Sequence, residues 1–119
     1  MSISFFKREN TLIVKLSGDI DHHNAESVRN KIEREFQKGS MTNLILDYEG
    51  VSFMDSSGIG MVIGRYKQVT AVGGYVCVIN LSEDVERIFK LSGLFKIINK
   101  YDSLGDALKF VGQAGVYNG

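Results

Sequence analysis

Asp55, Ser56, Ser57 and Gly58 are the residues of this chain best placed to do chemistry, and the chemistry is acceptance of a phosphoryl group. The apolar run Leu44-Ile45-Leu46, with Val51 and Phe53 beyond it, stops at an acid, two hydroxyls and a glycine. A helical spacing begins at Ile59 immediately afterwards. Serines at such a turn sit at a helix N-terminus, where unpaired N–H groups and the positive dipole end favour an anion. Helix capping accounts for one hydroxyl. A second hydroxyl and a preceding acid suit an exposed recognition turn better. The segment reads as a phosphorylation switch, and local reasoning leaves Ser56 and Ser57 both open as acceptor.

Other chemistries fit the residues less well. Gly58, Gly60 and Gly64 mimic a dinucleotide fingerprint, but the spacing is one residue too long and the next strand ends at Asn80 rather than an acid. Gly60 and Gly64 are instead expected to let a helix lie close to the sheet. Asp19, Asp21, His22 and His23 contain metal-ligand types. Adjacent histidines cannot easily serve one ion, and no second cluster completes a closed site. Their plainer role is a helix-entry loop with Asp21 or Asn24 as cap, close enough to the serine turn to share its surface. A nucleophile elbow is missing, because no glycine stands two residues before the serine. A receiver-like domain phosphorylated on Asp55 matches the length and the α/β alternation. It fails at the first strand, where Lys7 and Arg8 replace the acids a receiver needs for Mg²⁺.

The elements that must position these residues alternate strand and helix. Ile3–Lys7 and Leu12–Ser17 read as strands around a polar turn, the second alternating Leu12, Val14 and Leu16 with Ile13, Lys15 and Ser17. Ala25, Val28, Ile32 and Phe36 draw one apolar stripe on a helix ending near Gly39. Leu44–Leu46 and Tyr75–Ile79 have the continuous apolar character of buried strands. A second helix runs from the serine turn to Gly73-Gly74, and a third follows Ser82 with Glu83, Asp84 and Glu86 in its first turn. Phe95–Ile98 reads as a strand. A last helix starts near Ser103, with Asp106 as the second half of a capping box, and Gly112–Gly119 reads as a loose tail. The spacing predicts one α/β domain over residues 1–111 followed by a tail, 112–119.

Composition narrows the function class. In 119 residues, fourteen basic and fourteen acidic side chains cancel, which leaves no global charge for nucleic acid or an anionic membrane. The lone Cys77 lies in an apolar run, as in a reducing compartment. No apolar stretch approaches the roughly 20 residues of a membrane span. A cytoplasmic protein with no cofactor is the expectation.

Four segments together resemble the anti-sigma factor antagonists of spore-forming bacteria, which are STAS-domain proteins. They are Gly18-Asp19-Ile20-Asp21-His22-His23, Ser52 to Gly60, Gly64-Arg65-Tyr66-Lys67-Gln68, and Ser92-Gly93-Leu94-Phe95-Lys96-Ile97-Ile98. The similarity covers residues 3 to 111. It implies a mixed sheet of about five strands with about four helices mostly on one face, the first strand free to run antiparallel. It implies a protein that is not an enzyme. The unphosphorylated form binds an ATP- or ADP-carrying anti-sigma factor that is also a serine kinase, and so frees the sigma factor. Phosphorylation of Ser56 by that kinase ends binding, and a PPM-type phosphatase resets it. The implied partner surface comprises Asp21, His22, His23, Asn24, Asp55, Ser56, Ser57, Gly58 and Ile59.

Overall fold

Strand order in the sheet follows strand order in the chain, and the first pairing alone is antiparallel. The computed structural model describes residues 1–118, and of residues 113–118 the backbone alone. β1 (Ser2–Arg8) pairs antiparallel with β2 (Thr11–Ser17). The two-residue turn between them puts Glu9 at φ +55. β3 (Asn43–Gly50), β4 (Val76–Ile79) and β5 (Asn99–Tyr101) then add in parallel, giving a five-stranded sheet ordered β1-β2-β3-β4-β5. Parallel neighbours need crossovers. These are α1 (Ala25–Lys38), α2 (Ser56–Thr70) and α3 (Glu83–Ser92).

Side chains alternate across each strand, so the sheet has two distinct cores. Leu12, Val14, Leu16, Leu44, Leu46, Val76 and Val78 face α1, α2 and α3 through Val28, Ile32, Phe36, Val62, Val69, Val85 and Phe89. On the other face Ile13, Ile45, Cys77 and Ile79 meet α4 (Leu104–Asn118) through Ala107 and Val111. Ser103 Oγ accepts the Asp106 N–H at 3.1 Å, the first half of the expected capping box. The segment from Gly112 that composition reads as a loose tail falls on the α4 backbone up to Asn118. Its side chains beyond Gly112, and Gly119, lie outside the described residues.

Two local expectations are corrected. The Phe95–Ile98 strand is a 3-10 turn over Leu94–Lys96, and the strand that follows is Asn99–Tyr101. Gly93 closes α3 at φ +80, and Leu94 turns into the core before the chain can extend. Gly60 and Gly64 do not bring α2 against the sheet: a Cβ at either would meet nothing within 4 Å. The close approach belongs to Gly58, where a Cβ would lie 2.9 Å from Met54 Cβ.

Candidate functional site

The loops leaving β2 and β3 run side by side and zip together before either helix begins. The Gly18 N–H donates to Gly50 O at 2.9 Å, Ile20 N–H to Phe53 O at 3.1 Å, and Asp55 N–H to Ile20 O at 3.0 Å. A parallel bridge joins Ile20 to Met54, both buried. This extension of the β2–β3 pairing carries Asp21–Asn24 and Asp55–Gly58 to the same edge of the domain, a juxtaposition invisible in linear spacing.

Asp55 is the junction. It is the N-cap of α2, and its Oδ1 accepts the Ser57 N–H at 2.8 Å. Its Oδ2 accepts the His22 N–H at 3.1 Å, with His22 Nδ1 3.5 Å away. Desolvation pushes this carboxyl up, but the N–H groups of Ser57, His22 and Gly58 and the His22 side chain together outweigh it and hold the group below its ordinary value. Both oxygens are therefore committed to the cap and the neighbouring loop, and the receiver-like reading with Asp55 as phosphoacceptor finds no support.

The two serines occupy different surroundings. Ser56 is the first residue of α2 and is exposed, whereas Ser57 is half-buried. Exposure thus distinguishes the two residues, which linear spacing does not. Ile59 is half-buried and packs partly against the core, so only its outer part reaches the surface.

The Asp21–Asn24 loop is tied by its own polar groups. Asn24 stands at the N-cap of α1 but does not cap it: its Oδ1 accepts the Asp21 N–H at 3.1 Å, and its Nδ2 donates to Asp19 O at 2.8 Å. The Asp21 side chain does not cap either, since Oδ1 accepts the His23 N–H at 2.9 Å. His22 and His23 stay exposed, with ring centroids 4.0 Å apart.

A groove of about 510 Å³ opens between the first turns of α1 and α2, lined by His22, Glu26, Arg29, Ser57, Gly60 and Met61. Glu26 and Arg29 carry no motif, so only helix packing brings them beside the serine turn. That packing is held by Arg65, which is 4% exposed and reaches across to Arg29 O and Glu33 Oε2, each at 3.3 Å.

The sequence profile of the STAS domain matches residues 2–107. An anti-sigma F factor antagonist from Paenibacillus polymyxa is 37% identical over 91% of this chain and 92% of its own length. The solved structure of the anti-sigma factor antagonist SpoIIAA in its unphosphorylated form superposes with a TM-score of 0.81 at 33% identity, covering 94% of this chain and 97% of that one. The Bacillus cell fate determinant SpoIIAA in its phosphorylated form gives 0.71 at 32% identity, covering 92% and 99%.

Proposed function

The chain belongs to the STAS domain family, and from that premise we propose that it is an anti-sigma factor antagonist switched by phosphorylation of Ser56. The unphosphorylated protein binds an anti-sigma factor that is also a serine kinase, loaded with ATP or ADP, and so releases the sigma factor. Phosphorylation by that kinase ends the complex, and a PPM-type serine phosphatase restores it. The role is regulatory rather than catalytic, and the setting is the cytoplasm. Among the described residues, no helix is long and apolar enough to cross a membrane.

The observation that carries this reading is the placement of Ser56: exposed, at the first position of α2, beside a carboxylate whose two oxygens are engaged by the cap and by the His22 N–H. A phosphate adds about 1.5 to 2 negative charges and three acceptor oxygens. At a helix N-terminus it meets the dipole favourably, so α2 is expected to persist. The cost falls on the interface. A partner acid about 4 Å from the new charge is repelled by roughly 4 kcal/mol per charge pair at an effective dielectric of 20. Losing about 3 to 4 kcal/mol weakens a complex several-hundred-fold, enough for an on/off decision without refolding. The partner contacts are Asp21, His22, His23 and Asn24 on one loop, and Asp55, Ser56, Ser57, Gly58 and the outer part of Ile59 on the other.

The direct test incubates the purified protein with ATP and a cognate anti-sigma kinase, then locates the phosphate by fragment mass spectrometry. An acid-stable phosphoester on Ser56 is the expected result. Phosphate on Ser57 moves the acceptor, and an acid-labile acyl phosphate on Asp55 overturns the reading.

A further inference from the structure

The face of the sheet opposite α1–α3 is only part covered. α4 packs against β3, β4 and β5 and reaches Ile13 of β2 through Ala107 and Val111, which leaves Phe6 on β1 open on that side. Register sets one apolar row across it, Phe6 beside Ile13 and Ile13 beside Ile45. Ile13 and Ile45 are buried, but Phe6 at the sheet edge is 54% exposed, and Leu104 at the start of α4 is 36% exposed. Between them lies a groove of about 420 Å³ lined by Phe6, Ile13 and Leu104 with Arg8, Lys15 and Asp47.

Cations outnumber acids around this floor: Lys7, Arg8 and Lys15 line it against Asp47. Arg8 and Lys15 are exposed, and among the described residues neither has an ion-pair partner. Residues 113–119 contain no acidic side chain that could supply one. Asp47 stands opposite Lys15 in register and keeps its charge, with Oδ1 accepting from Asn80 Nδ2 and the Glu49 N–H, each at 3.0 Å. Lys15 pairs with Ser4, four residues before Arg8 on β1, so the two cations flank Phe6 about 13 Å apart along the strand.

We propose that this half-open face docks an acidic amphipathic helix of a second protein, laid beside α4 over Phe6 and Ile13. Five strands at about 4.8 Å span roughly 19 Å, nearly two helix diameters, and α4 fills one of those places. Neighbouring helices pack about 8–10 Å apart, which places the second over β1 and β2. At 1.5 Å per residue and 100° per step, carboxylates seven or eight positions apart, about 11 to 12 Å along the axis, reach Arg8 and Lys15 through their long side chains, with apolar residues midway entering the groove. The surface lies on the opposite face of the sheet from α2 and is independent of the serine switch.

The test titrates the full chain with a synthetic amphipathic helix of about 18 residues carrying glutamates at that spacing around leucines. Amide shifts are followed by NMR. Perturbation confined to β1, β2 and the first turn of α4 is expected, with Lys15→Glu and Phe6→Ser each weakening binding about tenfold or more. Both variants should accept phosphate on Ser56 at the wild-type rate, which shows that they are folded. No perturbation at this face, or equal binding of a peptide with lysines in place of the glutamates, overturns the proposal. Concentration-dependent dimerisation abolished by Phe6→Ser also overturns it, by giving the face to a second copy of the chain.

Discussion

At the residue scale, Ser56 and Asp55 divide the turn between an exposed hydroxyl-bearing residue, the proposed phosphoacceptor, and the carboxylate that caps the helix. Ser56 is exposed, while Asp55 uses both carboxylate oxygens on backbone N–H groups. Ser56→Ala is expected to bind the anti-sigma partner as wild type does and to resist release by ATP, measured by affinity before and after kinase incubation. Ser56→Asp carries one charge instead of nearly two and should weaken binding less than the phosphate does. Asp55→Asn separates cap from latch, since asparagine caps as well as aspartate but its amide presents N–H to one of the two donors. It should lower stability and loosen His22, visible as faster amide exchange there. The pH dependence has a definite sign. Asp55 is held below its ordinary 3.8 in the folded chain, so its contribution is present above that value and lost as pH falls through the depressed one. The stability gap between wild type and Asp55→Asn should therefore close on acidification.

At the scale of elements, the three glycines of α2 differ in what requires them. A Cβ at Gly58 would press on Met54 Cβ at 2.9 Å and Ile20 Cγ2 at 3.2 Å, where α2 passes over the zipped loops. Gly58→Ala should destabilise by about 1 to 3 kcal/mol, the usual range for overpacking. Gly60 is exposed with open space around it, so alanine there should add about 1 kcal/mol of helix stability. Paired urea melts check the opposite signs. Because Gly60 borders the groove beside Ser57, a more stable Gly60→Ala that binds the kinase less well would place the partner over that helix. Spacing alone suggested the reverse allocation: the four-residue interval between Gly60 and Gly64 looks like a close-packing face. Which side of a helix meets the sheet depends on its rotation, and that is set by Met61, Val62, Arg65 and Val69 turning inward.

At the scale of the whole molecule, stability rests on two cores divided by one sheet, and the larger holds a polar flaw. Tyr48 is fully buried edge-on against Phe89, and its hydroxyl has no partner among the described residues. Burial raises its ionisation above the ordinary 10.0, so the hydroxyl stays neutral. An unmet buried hydroxyl costs about 1 to 3 kcal/mol. Tyr48→Phe should accordingly leave stability unchanged or raise it, as read from the thermal midpoint. Cys77, in the smaller core, is pushed up by burial to about 12 and should react with thiol reagents only after unfolding. Much of this plan was legible in the chain: the apolar stripe Ala25, Val28, Ile32 and Phe36, the buried runs of β3 and β4, and the Asp55–Gly58 turn all carry local periodicity or cap chemistry. Those features depend on neighbours within a few residues, so sequence by itself determined them. The bonds from His22 to Asp55, the greater exposure of Ser56 than Ser57, the groove beside Glu26 and Arg29 and the open face around Phe6 arise between segments from about 30 to about 100 residues apart. Only the tertiary structure decided them, because strand register and helix rotation are collective results of packing and leave no mark on local spacing.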